Sequence, residues 1–195
     1  MSEKISLVVP CYNEEEVLPY FYEEFCKVAE KLSEFQLEVI FVDDGSKDRT
    51  LAIVKELAEK DTRVKYLSFS RNFGKEAAIY AGFQHADGDY VAMLDADLQD
   101  PPSMLPEMLR GIREEGYDSV ATRRVSRKGE PPIRSFFARR FYRLMNRIST
   151  AEIMDGARDY RLMTRQFKEA ILEISEYNRF SKGDFRLGSV LRQNG

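Results

Sequence analysis

The sequence predicts an α/β fold with a mainly parallel sheet and helices on both of its faces. Two observations support this prediction. Short apolar runs recur along the first half of the chain, as expected of buried strands. The longer segments between them carry apolar residues at helical spacing. Strands separated by helices are joined by right-handed crossovers, which make neighbouring strands parallel.

Four strands are predicted in the first half of the chain, each followed by a loop and a helix. The strands are expected at residues 5–9, 37–42, 64–69 and 90–94. Pro10 is expected to end the first strand, because proline interrupts a ladder of hydrogen bonds. The loops that follow the strands then meet at one edge of the sheet, where open α/β sheets bind ligands. These loops are residues 12–14, 43–46, 71–75 and 95–99.

The second half is predicted to be less regular. A helix is expected from Pro101 to Glu115, ended by Gly116, then a short strand at 119–122 and a loop at 127–132. A helix at 133–149, a turn with a short extended segment at 154–163 and a helix at 167–174 follow. Periodicity is lost after Tyr177, and residues 184–195 are expected to be a disordered tail or a cloning remnant.

Composition excludes several kinds of protein. The 195 residues suffice for one large domain without disulfides. Cys11 and Cys26 have no metal-binding spacing, and we assign no function to His85, the single histidine. With no apolar run near ~20 residues and no signal peptide, we expect no membrane-spanning segment and a cytoplasmic location, in solution or on a membrane surface.

Positive charge is concentrated in one short block. The formal net charge is −3, yet residues 123–147 carry nine basic and one acidic side chain. Such a block indicates attraction to phosphates on a substrate, a nucleic acid or a membrane. We see no nucleic-acid-binding motif and expect no nucleic acid partner.

The predicted helix at 133–149 contains most of this charge. Its apolar residues fall on one face, and its arginines lie on the others. This pattern is typical of a helix that lies in a membrane interface and binds anionic head groups. A helix packed on the sheet with a solvated basic face has the same periodicity. The local charge favours the membrane.

Asp95 and Asp97 follow the apolar run at 91–94. On an extended strand they point the same way, and the small Ala96 leaves room beside them. Two carboxylates suit Mg²⁺ or Mn²⁺, and Gln99 is a candidate third oxygen ligand. A turn or helix cap is the alternative for a lone Asp-x-Asp, but the other loops favour a site.

Four loop segments together resemble a known family. VVPCYNEEE, FVDDGSKDRT, RNFGKEAA and MLDADLQDPP, in this order, resemble the family 2 glycosyltransferases with the GT-A (Rossmann-like) fold. Within that family they are most similar to the polyprenyl-phosphate glycosyltransferases, which include dolichyl-phosphate mannose synthases and bactoprenol glucosyltransferases. The resemblance covers about residues 4–183. It implies a nucleotide-sugar-binding core at 1–125 and an acceptor and membrane-interface region at 126–183, which contains the basic amphipathic helix.

The resemblance also implies roles for individual residues. The nucleotide-sugar site is expected to comprise Pro10, Tyr12, Glu14, Val42, Asp44, Lys75, Asp95, Ala96 and Asp97. Asp95, Asp97 and Gln99 would hold the divalent cation against the diphosphate. Lys75 and Arg123 would offset charge on donor or acceptor phosphates.

Asp159 matches the aspartate of the family motif, here GARDYRL, and two roles remain open for it. Some members of the family are thought to use this aspartate as catalytic base. However, a lipid phosphate is already largely ionised near neutral pH and needs little deprotonation. Asp159 would then instead orient Arg161 or Arg124 toward that phosphate.

The activity implied is inverting transfer of a sugar from a nucleotide-sugar, with a UDP-hexose favoured, to polyprenyl phosphate at the cytoplasmic membrane face. Many relatives continue into transmembrane helices after the position of Gly183, so this chain is expected to be either truncated or a peripheral form. A glycosyltransferase with a soluble or polysaccharide acceptor and a non-catalytic nucleotide-sugar-binding module are the alternatives. Homo-oligomerisation is compatible with the sequence.

Overall fold

The computed structural model describes residues 2–123 and 157–181. Its strands are β1 (Lys4–Cys11), β2 (Gln36–Asp43), β3 (Val64–Ser68), β4 (Tyr90–Met93), β5 (Ser119–Arg123) and β6 (Ala157–Thr164). Its helices are α1 (Leu18–Lys31), α2 (Thr50–Lys60), α3 (Lys75–His85), α4 (Leu105–Glu115) and α5 (Arg165–Ser181). A short 3-10 turn, Pro102–Met104, precedes α4.

The strands form one six-stranded sheet in the order β3-β2-β1-β4-β6-β5. Strands β1 to β4 are parallel where they pair, and β6 is antiparallel to both β4 and β5. The prediction of a mainly parallel sheet is therefore confirmed. The chain places β2 and β3 on one side of β1 and then returns to place β4 on the other. Such a reversal opens a crevice at the carboxyl ends of β1 and β4.

Helices cover both faces of the sheet, which explains the continuous apolar runs. Seven of the eight residues in β1, and seven of the eight in β2, are buried. Helix α1 buries Leu18, Phe21, Phe25 and Val28 at helical spacing. On the other face α3 packs closely on β1, since a Cβ at Gly82 would lie 2.2 Å from Val8 Cγ1. The prediction of helices on both faces is confirmed.

A charged network lies at the amino-terminal edge of the sheet, opposite the crevice. Glu38, 4% exposed, accepts a hydrogen bond from Ser6 Oγ at 2.6 Å. Its Oε2 lies 2.8 Å from Lys4 Nζ and 2.7 Å from Lys65 Nζ. Since a buried carboxylate is costly unless paired, this network stabilises the ends of three neighbouring strands.

Several predicted boundaries differ from the structure by one or a few residues, and two of these differences have a clear physical reason. Pro10 does not end β1 but pairs with Val42 inside the ladder. Because the ladder with β4 stops at Val8, the missing N–H of Pro10 removes no bond on that side. Helix α5 continues past Tyr177 to Ser181, because residues 175–181 contain no glycine or proline to stop the backbone where the apolar periodicity ends.

Other predictions about the second half can be compared only in part. The extended segment near 154–163 is β6, and Gly116 ends α4 in a left-handed conformation at φ 73°. The predicted loop at 127–132, the amphipathic helix at 133–149 and the tail at 184–195 lie outside the described residues. Of the helices within 2–123 and 157–181, none has the length and apolar character needed to cross a bilayer.

Candidate active site

Direct hydrogen bonds join the loops that follow β1 and β2 at the crevice. The Asn13 N–H donates to Ser46 Oγ at 3.0 Å, and the Lys47 N–H donates to Asn13 Oδ1 at 2.9 Å. The Glu14 N–H donates to Thr50 Oγ1 at 2.7 Å. Asn13 adopts a left-handed conformation at φ 57°, which asparagine tolerates better than most residues. The two loops are thus held as one unit.

A further pair of contacts extends this unit to the start of α2. Asp48 accepts the Glu15 N–H at 3.2 Å, and Glu15 in turn accepts the Arg49 N–H at 2.8 Å. Although burial acts in the opposite direction, hydrogen bonds from Thr50 and the Glu15 N–H lower the pKa of Asp48. Asp48 therefore stays ionised and holds the N-terminus of α2.

Asp44 holds the loop between β3 and α3. Its carboxylate is 3% exposed and accepts the N–H of Phe73 at 2.7 Å and the N–H of Gly74 at 2.9 Å. The next residue, Gly45, lies against the same loop, since an added Cβ would be 2.4 Å from the carbonyl carbon of Arg71. Asp44 and Gly45 together fix where α3 begins.

Lys75, the first residue of α3, forms an ion pair with Asp95 of the β4 loop. Lys75 Nζ lies 2.6 Å from Asp95 Oδ1 and 2.7 Å from Oδ2. The side chains are 39% and 38% exposed, so the pair is accessible from the crevice. The structure thus joins two predicted site residues that follow different strands, β3 and β4.

The negative charges of Asp95 and Asp97 affect the pKa of Glu14. Burial raises the pKa of Glu14, and the nearby charges of Asp97, Asp95 and Asp48 raise it further. Negative charge from the first and fourth loops is therefore concentrated at the reversal of strand order. A site that raises the pKa of a carboxyl group by negative charge also attracts cations.

Asp97 also stabilises a turn. Strand β4 ends at Met93, one residue earlier than predicted, so Asp95 and Asp97 lie beyond the strand rather than on it. The Gln99 N–H donates to Asp97 Oδ1 at 3.1 Å, and Leu98 between them has a φ of 57°. The turn considered above as the alternative explanation of Asp-x-Asp is therefore present, and the Asp97 carboxylate is nevertheless exposed.

These side chains fit a divalent cation that takes only part of its coordination from the protein. Within the described ranges 2–123 and 157–181, no cluster of three or more histidine, cysteine, aspartate or glutamate side chains forms a ready metal site. Mg²⁺ and Mn²⁺ are commonly bound by one or two carboxylates together with substrate phosphates and water. The Lys75 ammonium already lies at Asp95, which shows that a positive charge is accommodated there.

Four other predicted residues form the floor and rim of the crevice. Pro10 and Val42 pair in register and are buried at the carboxyl ends of β1 and β2. Ala96 is 2% exposed and packs in the core between the two aspartates. Tyr12 is 41% exposed and provides an aromatic surface at the rim.

The predicted catalytic residues lie on β5 and β6. Arg123 ends β5 and pairs with Ala157. Arg161 pairs with Met93, and because β6 is antiparallel, Asp159 lies two residues nearer the crevice edge. Arg161 Nη1 lies 3.3 Å from Ser119 Oγ, farther from that edge. The catalytic roles of these residues stay predictions.

The structure also adds residues that the sequence predictions did not include. Asp43, 2% exposed, accepts hydrogen bonds from the Ser46 N–H at 3.1 Å and from Ser68 Oγ at 3.0 Å. The sequence did contain a signal for these contacts, because the loop after β2 is rich in aspartate, serine and threonine, whose side chains often form hydrogen bonds to loop backbone. Cys11 is not a candidate nucleophile, because burial and the charges of Glu14, Asp43 and Asp95 raise the pKa of its thiol.

A search for related proteins identifies one family. The model of the family described as "Glycosyl transferase family 2" matches residues 6–172. The bactoprenol glucosyl transferase of Shigella phage SfV is 44% identical over 180 residues, which are 92% of this chain and 58% of that protein. The chain therefore spans little more than half the length of this relative.

Solved structures share the fold at low sequence identity. The mannosyltransferase PcManGT from Pyrobaculum calidifontis, in complex with GDP-Man and Mn²⁺, superposes with a TM-score of 0.61 at 20% identity, covering 88% of this chain and 47% of that one. TarS from S. aureus, in complex with UDP, gives a TM-score of 0.58 at 24% identity, covering 89% and 49%. At these identities the likeness establishes the fold.

Proposed function

Because the chain belongs to glycosyl transferase family 2, we propose that it catalyses transfer of a sugar from a nucleotide-sugar to a polyprenyl phosphate. The observation that carries the acceptor is the 44% identity to a relative named bactoprenol glucosyl transferase over 92% of the chain. The fold is that of the GT-A glycosyltransferases.

The donor is proposed to bind in the crevice between the first, second and fourth loops. Tyr12 at the rim stacks on the base, above the floor made by Pro10 and Val42. Asp95 and Asp97, with Gln99 as a further oxygen ligand, would hold a divalent cation beside the diphosphate. When bound, the cation offsets the negative charge that develops on the leaving nucleoside diphosphate. Lys75 adds a positive charge beside the same phosphates.

The reaction is proposed to be a single in-line displacement. A phosphate oxygen of the acceptor attacks the anomeric carbon, the bond from that carbon to the diphosphate breaks, and the configuration inverts. No covalent intermediate with the enzyme is needed, in contrast to retaining glycosidases. Asp159 acts as base or as the partner that orients Arg161, while Arg123 offsets phosphate charge.

The acceptor requires the site to operate at a membrane surface. We propose that the protein lies at the cytoplasmic face and that the positive charge of residues 123–147 attracts it to anionic lipids. Binding by such a segment alone is reversible and salt-sensitive. Co-sedimentation with anionic liposomes should therefore be strong at low salt and weak at high salt, and absence of binding at both would favour a soluble acceptor.

Release of nucleoside diphosphate tests the activity. UDP- and GDP-sugars are supplied with and without Mn²⁺ and polyprenyl phosphate, to this chain and to any longer natural form of the protein. The proposal predicts release that requires both the cation and the lipid. Donor binding without release in every form would instead support a non-catalytic binding module.

The base and the sugar are assigned by a second measurement. We favour glucose, because the relative's name specifies a glucosyl transferase, and we propose UDP as its carrier from the family resemblance of the loops. A ligand at 100 times its Kd stabilises a protein by about 2.7 kcal/mol, so the correct nucleotide-sugar should raise the melting temperature in the presence of Mn²⁺. A larger shift with GDP-sugars than with UDP-sugars would reverse the assignment.

A further inference from the structure

Lys75 occupies the position that a cation would take at Asp95. Its ammonium lies 2.6 Å and 2.7 Å from the two carboxylate oxygens and thus satisfies both. We propose that Lys75 is an exchangeable counter-ion of Asp95, which a divalent cation displaces effectively only when a nucleotide diphosphate is present to receive the lysine. This inference rests on the proposed function, since it requires a cation and a diphosphate at the site.

Helix stability does not account for a lysine at this position. Lys75 is the first residue of α3, where the helix dipole is positive and a cation is unfavourable. Lys75 instead makes a favourable electrostatic contact with Asp95, which lies 20 positions along the chain on another loop.

The backbone that carries Lys75 is fixed, whereas the ion pair at the end of its side chain is accessible to solvent. Asp44 binds the backbone of Phe73 and Gly74, and Gly45 packs on the same loop, so the main chain before Lys75 is fixed. The side chain is 39% exposed and flexible, and an ion pair this accessible is weak. Exchange therefore requires a rotation of the lysine side chain rather than a movement of the loop.

Two consequences follow for binding. Without nucleotide, a cation must compete with Lys75 for Asp95 and must also overcome repulsion from the ammonium group, so its affinity is low. With a diphosphate bound, the ammonium pairs with phosphate oxygens and Asp95 becomes available to the cation. Cation and nucleotide then each increase the affinity of the other by the same factor.

The test is Mn²⁺ binding, measured by electron paramagnetic resonance of free Mn²⁺, with and without UDP or GDP. Lys75→Met removes the charge and keeps the length of the side chain, and Lys75→Arg keeps the charge. Lys47→Met is the matched control, because Lys47 is an exposed lysine in the loop after β2. Circular dichroism establishes that each variant is folded.

In the absence of nucleotide, Lys75→Met is expected to bind Mn²⁺ about three- to tenfold more tightly than the wild type, because it removes both the competing ion pair and the repulsion of the ammonium group. Lys75→Arg and Lys47→Met are expected to resemble the wild type. The factor by which nucleotide increases Mn²⁺ affinity should fall in Lys75→Met. The inference would be overturned if Lys75→Met had the same Mn²⁺ affinity as the wild type in the absence of nucleotide, or if Lys47→Met gained as much affinity as Lys75→Met. It would also be overturned if Lys75→Met bound Mn²⁺ more tightly but nucleotide still increased that affinity by the wild-type factor. A wild type with no cation-dependent nucleotide binding would instead overturn the proposed function.

Discussion

The Asp44 carboxylate accepts the backbone N–H of Gly74 at 2.9 Å, and this bond links the end of β2 to the start of α3. The second carboxylate oxygen accepts the Phe73 N–H, so one buried side chain satisfies two successive donors. The position of Lys75 beside Asp95 depends on this contact. Asp44 thus has a structural task in addition to any contact with the donor.

Replacement of Asp44 should reduce stability. In Asp44→Asn the amide nitrogen faces one of the two N–H groups, so a buried donor is left without an acceptor. We expect a loss of about 1–3 kcal/mol in the free energy of unfolding, measured by urea denaturation at neutral pH. The control is Asp118→Asn, at an exposed aspartate. Equal stability of the two variants would contradict the role given to Asp44.

Gly45 should tolerate substitution less well than a glycine of similar conformation. Gly45 and Gly116 have φ angles of 70° and 73°, but only Gly45 has backbone atoms within 3 Å of an added Cβ. Gly116→Ala is expected to cost about 1 kcal/mol from backbone strain alone. Gly45→Ala should cost at least ~2 kcal/mol more, because the third loop must move. Similar melting temperatures for the two variants would show that the loop after β3 can move away from the added methyl group without loss of stability.

Tyr12 should contribute to nucleotide affinity by stacking. Removing an aromatic side chain that stacks on a base costs about 1–3 kcal/mol, so Tyr12→Ala should weaken UDP or GDP binding in Mn²⁺ by roughly five- to 150-fold. Tyr117→Ala is the control, since Tyr117 is 54% exposed and lies between the end of α4 and the start of β5, at the opposite edge of the sheet. Calorimetric titration measures both, and an equal affinity in the two variants would remove Tyr12 from the site.

Asp61 should make stability depend on pH in the acid range. Hydrogen bonds from the Arg63 side chain lower the pKa of Asp61 from 3.8 to about 2. The carboxylate therefore contributes stability that is fully present above pH 3.8 and is lost as pH falls toward 2. Because Arg63 is partly exposed, the contribution is expected to be about 1–2 kcal/mol.

The variant Asp61→Asn tests this assignment. Its urea-unfolding free energy should change less between pH 4 and pH 2 than that of the wild type, because the titrating group is gone. Asp118→Asn, at an exposed position, should keep the wild-type dependence. If the free energy of unfolding fell by the same amount between pH 4 and pH 2 in the wild type and in Asp61→Asn, other carboxyl groups would dominate acid unfolding.

The sequence predicted the strands and the edge of the sheet at which the loops meet, because buried parallel strands are continuous apolar runs whose ends are visible. It did not predict the contacts between loops. The bonds of Asn13 to Ser46 and of Asp44 to Gly74 join segments about 30 residues apart. Such contacts depend on the packed positions of whole strands. Likewise, Pro10 stays within β1 only because its neighbour β4 stops pairing at Val8.

The roles of Asp95 and Asp97 are tested most directly by a crystal structure with Mn²⁺ and UDP or GDP. We expect an anomalous manganese peak bound by one or both of these carboxylates and by oxygens of the diphosphate, with Lys75 turned from Asp95 toward the phosphates. Clear density for both nucleotide and manganese, with the manganese bound away from Asp95 and Asp97, would contradict the account.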